Sequence, residues 1–363
     1  LTYTTTPALS SSLNNSSTVT FTGSLSRVSG TNASTYSITI GTLTNTNYAL
    51  TFTETDYTIN QRPITISAEA KTKVYGSADP SLTHSITAGS IVTGDTVSGV
   101  LTRTSGEAAG TYSITQNTLT YGNNYNETYE AADLTITNAT LTLTVSDYTK
   151  VYDSQFIDSS NLSFTATGLV NGNSIDDLVG TPTYTVAGTA TNTVGTYSIT
   201  LSGLSHPSYD IVFVGANATI TQRNMSEVTV ADISDRVYNG LAQTLSPTAT
   251  FNSLTLIEGT DYTTNFIGNT NVGTATITLT GIGNFNGEKT VGFNITSKTL
   301  TITADHKTMV YNSGVYTPTD YTVSYNGFVD GEDKNVLTGT LTYTGTALTA
   351  TASGTYVITP EGF

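Results

Sequence analysis

The chain has 363 residues, no cysteine and no tryptophan, and a formal net charge of −15 at pH 7. With only 12 lysine and arginine residues over this length, the clustered phosphate contacts of a nucleic-acid-binding face are excluded. No apolar run reaches the ~20 residues of a membrane span, and the lack of cysteine excludes disulfides and thiolate metal sites. Charged residues make up 11% of the chain, against about 25% in ordinary soluble domains, which favours an extended surface protein over an enzyme.

Two short motifs recur along the chain. The first is a basic residue, valine and tyrosine followed by glycine, aspartate or asparagine, found at Lys73–Gly76, Lys150–Asp153, Arg236–Asn239 and, loosened, Lys307–Asn312. The second is Gly-Thr-Tyr-Ser-Ile-Thr or a close variant, found at 34–39, 110–115, 195–200, 273–278 and 354–359. Because both return at intervals of roughly 75 to 85 residues, the sequence predicts an array of small domains.

Aligning the motifs divides the chain into five predicted repeats. Residues 1–61 form a partial repeat without its first strand, and residues 298–363 form a partial repeat without its last strand. Between them lie three complete repeats, at 62–138, 139–222 and 223–297. We expect the two partial repeats to result from excision from a longer array, rather than from copies that complete each other head to tail.

Apolar residues alternate with threonine within each repeat, as in Ala139–Val145, which is typical of strands with one buried face. No stretch has a sustained helical period. We therefore predict an all-β fold: a tandem array of small immunoglobulin-like β-sandwich domains forming an elongated rod, because the linkers of about four residues leave little room for rotation. A β-grasp-like sheet is the alternative, and it requires a short helix that the sequence does not reveal.

These motifs resemble the MBG repeats, of the YGX and YDG types, in very large bacterial surface proteins. The resemblance covers repeats one, two, three and five. The fourth repeat differs, since Ile257–Tyr262 and Asn269–Ala275 are similar to a sister class of bacterial immunoglobulin-like surface repeats. The resemblance implies a secreted or cell-surface location and a stalk or adhesive region, and it offers no catalytic residues to carry over.

The sequence therefore predicts a non-enzymatic stalk segment of a giant bacterial adhesin, which extends and presents a binding region. Its partners would be the neighbouring repeats of the same chain. One alternative is a self-assembling filament or biofilm-matrix protein, in which copies associate laterally or head to tail. A second alternative is a carbohydrate-binding module that takes a host or environmental glycan.

Candidate sites are few, and no cofactor is predicted, although calcium is a candidate ligand. Calcium prefers oxygen ligands, and Asp330, Glu332 and Asp333 could supply them from a glycine-containing turn. Histidines at 84, 206 and 306 fall at different repeat positions without a second histidine at ligand spacing, which argues against zinc or a catalytic triad.

Aromatic and basic residues give two further hypotheses. Tyr121, Tyr125 and Tyr129 are candidates for rings outside the core that stack on a sugar. The lysine of the first motif (Lys73, Lys150, Lys307, with arginine at 236) could form an intramolecular cross-link to asparagine beside a carboxylate, as some bacterial immunoglobulin-like domains do. Arginine cannot do this chemistry, so we expect instead a strand lysine whose ammonium group reaches water.

Overall fold

The structure is a computed structural model, and it describes residues 1–6, 19–188, 191–315 and 321–363. Backbone contacts divide the chain into two units. One comprises Leu1–Thr144, Phe164–Thr183 and Leu201–Val214, and the other comprises Val145–Ser163, Tyr184–Thr200 and Gly215–Phe363. The third predicted repeat contributes to both units. The five-repeat division remains a prediction, and each repeat named below stands for its residue range.

The described residues contain β-strands and short 3₁₀ helices but no α-helix, which confirms the all-β prediction. The 3₁₀ helices are η1 (Ser159–Asn161), η2 (Ile175–Asp177), η3 (Met225–Glu227), η4 (Lys334–Val336) and η5 (Thr346–Thr349). The helix that a β-grasp sheet requires is therefore missing from the described part of the chain. No described helix is long and apolar enough to cross a membrane.

The first predicted repeat contains one small antiparallel sheet. Its strands are β1 (Ser26–Arg27), β2 (Ser34–Thr39) and β3 (Thr55–Ile59), in the order β1-β2-β3. Strand β2 carries the second sequence motif, and Tyr36 lies opposite Tyr57 of β3.

The second repeat forms two sheets. Its strands are β4 (Arg62–Ala68), β5 (Lys71–Val74), β6 (His84–Ala88), β7 (Thr102–Arg103), β8 (Gly110–Thr115), β9 (Tyr125–Glu130) and β10 (Ala132–Thr137). The sheet orders are β6-β4-β9 and β5-β10-β8-β7. Ile64 and Ile66 of the first sheet and Ile114 and Leu134 of the second belong to one buried cluster. Since both sheets contribute inward side chains to one core, this repeat is a two-layer β-sandwich.

The third repeat repeats this order of strands. They are β11 (Ala139–Val145), β12 (Tyr148–Val151), β13 (Phe164–Thr167), β14 (Val179–Val186), β15 (Gly195–Ser205), β16 (Tyr209–Val214) and β17 (Ala216–Thr221). The sheet orders are β13-β11-β16 and β12-β17-β15-β14. In β11 the alanine, leucines and valine are buried and the threonines are not, so the alternation in the sequence corresponds to the two faces of the strand.

The fourth repeat departs in detail from the second and third. Its strands are β18 (Arg223–Asn224), β19 (Thr229–Val230), β20 (Arg236–Val237), β21 (Ala249–Phe251), β22 (Leu254–Thr255), β23 (Tyr262–Ile267), β24 (Gly273–Gly281), β25 (Phe285–Asn286) and β26 (Glu288–Thr296). They form sheets β20-β26-β24-β23 and β19-β21-β22 and the pair β18-β25.

The fifth repeat has fewer strands among its described residues. They are β27 (Thr301–Ala304), β28 (Val323–Asn326), β29 (Thr342–Thr344) and β30 (Thr359–Glu361), joined in the antiparallel pairs β27-β28 and β29-β30. Residues 305–312, which carry the first sequence motif, are not in a strand here.

Candidate functional site at the repeat junctions

The tyrosine of the first sequence motif lies at the end of one repeat and contacts the next. Tyr75, Tyr152 and Tyr238 come directly after β5, β12 and β20, at the point where each strand leaves its sheet. All three side chains contact the following repeat, so we treat the junctions as the candidate functional site.

Tyr75 joins the second repeat to the third. Its hydroxyl donates a hydrogen bond of 2.8 Å to Oδ1 of Asn173. Its ring packs edge-on against Tyr209, with 5.3 Å between ring centroids, and lies 6.3 Å from the ring of His206. Tyr75 is only 8% exposed, so the third repeat takes this ring out of water.

Tyr152 joins the third repeat to the fourth in a more apolar setting. Its ring packs against Phe285 at 5.4 Å and Phe251 at 6.2 Å, both in the fourth repeat. The main-chain carbonyl of Tyr152 accepts a 2.9 Å hydrogen bond from Nε of Arg223, whose guanidinium also lies 5.2 Å from the Phe251 ring centroid. Burial raises the pKa of the Tyr152 hydroxyl.

Tyr238 joins the fourth repeat to the fifth. Its hydroxyl donates a hydrogen bond to Oε1 of Glu332. The negative charge of this acceptor disfavours tyrosinate, so the contact raises the pKa of Tyr238. Glu332 and Asn173 hold the same position in their repeats, directly after the turn glycines Gly331 and Gly172. In the third and fifth repeats, this glycine-containing turn is therefore the acceptor for the tyrosine of the preceding repeat.

Glycines after the tyrosine allow this close approach. Gly76 has φ of +81°, and a Cβ placed there would lie 2.4 Å from Cγ2 of Val170. Gly240 has φ of +77°, and its Cβ would lie 2.7 Å from Cγ2 of Val329. Val170 and Val329 each precede the acceptor turn of their repeat. Both the backbone conformation and the space at the joint thus require glycine.

A second contact between neighbouring repeats recurs at three junctions. The residue just before the second sequence motif donates its main-chain N–H to the side chain that precedes the aromatic of the next repeat. The three pairs are Ala33 to Asn124 Oδ1 (2.8 Å), Ala109 to Ser208 Oγ (3.0 Å) and Val194 to Asn284 Oδ1 (2.9 Å). A short polar residue at this position therefore serves as an acceptor for the preceding repeat.

Tyr311, the motif tyrosine of the fifth repeat, differs from the others in its exposure. It occupies the same register as Tyr75 and Tyr152, which are each 8% exposed, yet it is 65% exposed itself. The segment that carries Tyr311 is not in a strand, whereas strands β5 and β12 lead directly to Tyr75 and Tyr152. Recurrence of the motif tyrosine was visible in the sequence, but its partner was not, because an apolar residue looks the same whether its own repeat or the next one buries it.

The motif lysine in the second repeat belongs to a ring of four charges, in which the two basic side chains are mostly buried and the two carboxylates are exposed. Nζ of Lys73 lies 2.6 Å from Oδ1 of Asp79 and 2.6 Å from Oε2 of Glu107, and Arg103 pairs with both carboxylates. The Lys73 side chain is only 4% exposed. The expectation that its ammonium group reaches water is therefore wrong in this repeat, because two carboxylates compensate for its burial.

Other repeats vary this position. Lys150 pairs with Asp153 at 2.7 Å and donates to the carbonyl oxygen of Gln155. Counted back two residues from the tyrosine, the equivalent in the fifth repeat is Met309 and not Lys307. The position two residues before the motif tyrosine is thus lysine, arginine or methionine in different repeats, which argues against a shared chemical role.

We expect no cross-link at Lys73. Amide formation needs a neutral amine, but the hydrogen bonds that Lys73 donates to Asp79 and then Glu107 raise its pKa. Arg103 and then Lys73 lower the pKa of Asp79, and Lys73 and then Arg103 lower the pKa of Glu107, which keeps both acids ionised. The intact mass should therefore equal that of the sequence, and a deficit of one water or one ammonia would contradict the assignment.

The charge ring predicts a specific dependence of stability on acid. Arg103, followed by Lys73, lowers the pKa of Asp79 from 3.8 to about 2. The stability that this carboxylate contributes is present above its unfolded pKa and is lost as the pH falls from 3.8 through about 2. Because Asp79 is 43% exposed, we expect Asp79→Asn to cost only about 1 kcal/mol at neutral pH.

The test compares urea unfolding of Asp79→Asn and the parent chain at pH 7 and pH 2. The difference in their free energies of unfolding should be smaller at pH 2 than at pH 7. The substitution Asp133→Asn, at an exposed position of the same repeat, should leave the free energy of unfolding unchanged at both pH values. A difference that persists unchanged at pH 2 would contradict the proposed charge pairing.

The carboxylates predicted to bind calcium have other partners. Glu332 accepts from Tyr238, and Asp333 caps η4 by accepting from the main-chain N–H of Asn335 at 2.8 Å. The described residues contain no group of three or more histidines and carboxylates arranged to hold a metal ion. Calcium binding at Asp330, Glu332 and Asp333 stays a prediction that nothing in this geometry favours.

The three tyrosines predicted as sugar-stacking residues do not share an exposed face. Tyr125 is 4% exposed and donates a 2.6 Å hydrogen bond to Oδ2 of Asp95, so it closes the core of its own repeat. Tyr121 and Tyr129 are half-buried and pack against the same core. Burial removes Tyr125 from any stacking surface, and glycan binding by the other two stays a prediction.

Comparison with protein families decides what kind of repeat this is. A family model described as MBG domain, YGX type, matches residues 1–58, 64–135, 141–219 and 300–363, which is more than half of the chain. The chain belongs to the MBG domain family. This confirms the resemblance that the motifs indicated. The matched MBG segments leave out 220–299, the part whose sequence and strand arrangement depart from the others.

Comparisons with other proteins add little to the MBG assignment. No curated protein matches the chain. Among solved structures, cadherin domains 1–4 of protocadherin gamma B7 align at 10% identity and a TM-score of 0.23, covering 73% of this chain and 84% of that one. Immunoglobulin domains 1–5 of sidekick-1 align at 11% identity and a TM-score of 0.24, covering 81% and 72%.

Proposed function

We propose that this chain is a non-enzymatic structural segment of a large bacterial cell-surface or secreted adhesin, which extends and presents a binding region carried elsewhere. The observation that supports this is the tyrosine joint. Tyr75, Tyr152 and Tyr238 each insert into the following repeat, so the most regular feature of the sequence serves contact between neighbours and not a ligand.

The joint suits a segment that bears load. At the three tyrosine junctions, the tyrosine contacts the following repeat and hydrogen bonds add to that contact. The linkers between repeats are short. Such contacts restrict the angle between neighbouring repeats, since rotation would expose the ring and break the bonds. The partners of each repeat are then its neighbours in the chain.

Microscopy and sedimentation test the proposal. Purified chain should sediment as a monomer over a wide range of concentration, and negative-stain images should show single, unbranched particles. Side-by-side bundles or ordered fibres would overturn it.

One observation favours self-assembly as a second candidate function. Strand β16 lies at the edge of its sheet and carries Val212, Phe213 and Val214, which are 47%, 37% and 40% exposed. The equivalent edge strand β9 of the second repeat carries Glu127 and Glu130 instead. The last four residues of β16 carry no charge, and such an apolar stretch on an open sheet edge can pair with the same strand of a second copy.

The same sedimentation experiment separates the two functions when a variant is added. If β16 mediates assembly, Phe213→Lys should return the assembled chain to monomers. Phe156→Lys, at an aromatic residue that is 61% exposed but outside any strand, should leave assembly intact. A parent chain that is already monomeric would rule out the second function.

A further inference from the structure

The first two strands of the second repeat pair in parallel with its last two strands. Arg62–Ser67 of β4 lies beside Tyr125–Glu130 of β9. Lys71–Val74 of β5 lies beside Leu134–Thr137 of β10. The third repeat has the same arrangement, since β11 pairs in parallel with β16 and β12 pairs in parallel with β17.

This arrangement determines how tension along the chain acts on a repeat. Tension pulls β4 and β5 toward their amino ends and pulls β9 and β10 toward their carboxyl ends. Because the paired strands run in the same direction, the two pulls act in opposite directions along each ladder of evenly spaced hydrogen bonds. The bonds of a ladder are then loaded together and not one after another, so a longer ladder resists a larger force.

The fourth repeat has the same parallel pairs, but they are much shorter. Strands β18 and β20 have two residues each, whereas β4 and β11 have seven and β5 and β12 have four. Only Arg223–Asn224 and Arg236–Val237 pair with the last strands, β25 and β26. Between them, β19 adds the two residues Thr229–Val230, paired antiparallel with β21.

Side-chain packing replaces part of the missing ladder in the fourth repeat. The chain forms η3 directly after β18, and Met225 of this helix is 0% exposed. Apolar packing is not directional, whereas a hydrogen bond weakens steeply when its donor and acceptor are moved out of line. The entry segment of the fourth repeat should therefore slide out at a lower force than β4 of the second repeat.

We propose that the fourth repeat is a tension-release element, which unfolds under load before the second and third repeats and lengthens the chain while they stay folded. Forced unfolding is governed by the unfolding rate, and the short ladders make that rate the most sensitive to force in the fourth repeat. The inference rests on the proposed function in one respect, since a segment that presents a binding region is where such a load arises.

Single-molecule pulling of the full chain, held by tags at its two ends, tests this order. An extended chain spans at most about 3.3 to 3.6 Å per residue, so each of the three repeats should unfold in a step of roughly 250 Å. Since step length does not tell the repeats apart, engineered disulfides identify them. The chain has no cysteine of its own to interfere.

Three variants, each with two cysteines, place the disulfide at the same register of the parallel ladder. Neighbouring strands lie about 4.8 Å apart, which suits a disulfide. All six positions are exposed. The pairs are Val74→Cys with Thr137→Cys, Val151→Cys with Thr221→Cys, and Val237→Cys with Thr296→Cys.

Oxidation should shorten the step of the cross-linked repeat to roughly 50 Å or less, because only the residues before the disulfide can extend. Reductant should restore the full step at the force seen in the parent chain, which controls for the substitutions. We expect the step shortened in the variant with cysteines at 237 and 296 to be the one at the lowest force of the three.

The inference is overturned if the step of the fourth repeat occurs at a force equal to or above that of the second or the third repeat. The proposed function fails separately, since side-by-side bundles in the sedimentation experiment would overturn it without altering the order of unfolding in single chains.

Discussion

Tyr152→Ala should loosen the joint between the third and fourth repeats by about 3 kcal/mol, as expected for truncating a large buried aromatic side chain. The ring is 8% exposed and packs against Phe285 and Phe251. Its removal leaves a cavity between two repeats and exposes the facing phenylalanines. Hydrogen exchange measured around 221–228 should become about 100-fold faster, since each 1.4 kcal/mol corresponds to a factor of ten.

The chain supplies a matched control for this change. Tyr311→Ala alters the same motif position, but Tyr311 is 65% exposed and should change stability by less than about 0.5 kcal/mol. Equal effects of the two substitutions would show that the tyrosine acts within its own repeat. An unchanged exchange rate in Tyr152→Ala would show that the aromatic contacts do not hold the joint.

Gly76→Ala should destabilise the joint between the second and third repeats for two reasons. At φ of +81° a side chain costs about 1 to 2 kcal/mol. The new Cβ would also meet Val170 at 2.4 Å, and such overpacking typically costs about 1 to 3 kcal/mol. We expect a total loss of about 2 to 5 kcal/mol in denaturant unfolding followed by hydrogen exchange.

Two further variants separate these contributions. Gly122 has φ of +91°, and no atom lies within 4 Å of the position that a new methyl group would take, so Gly122→Ala should show the backbone cost alone. Adding Val170→Ala to Gly76→Ala should recover part of the loss by making room. If Gly76→Ala and Gly122→Ala cost the same, the contact with Val170 does not constrain the joint.

The fold of each repeat could be predicted because it depends on local pattern. Alternating apolar residues in Ala139–Val145 fix which face of β11 is buried, and glycine-containing turns separate the strands. The second motif has the same role in repeats two, three and four, since its isoleucine (Ile114, Ile199 or Ile277) is fully buried in each. Recurrence of these patterns was also sufficient to indicate the family.

The joints and the charge ring could not be predicted in the same way, because their partners are distant in sequence. Tyr75 and Asn173 belong to different repeats, and Lys73 meets Glu107 only after β8 returns beside β10. The alternation of apolar and polar residues along a strand indicates which side chains are buried, but it does not indicate which surface they pack against. The turn that begins at Asp330 likewise has the acidic residues of a metal site. Only the hydrogen bond from Tyr238 to Glu332 shows that this turn takes part in the junction.

Distance measurement across a joint tests the central claim most directly. The chain has no cysteine, so Thr149→Cys and Thr290→Cys, at exposed positions of the third and fourth repeats, would carry the only two spin labels. The tyrosine joint predicts one narrow distance distribution by electron paramagnetic resonance, which broadens in Tyr152→Ala and stays narrow in Tyr311→Ala. A broad distribution in the parent chain, or an equally narrow one in Tyr152→Ala, would contradict it.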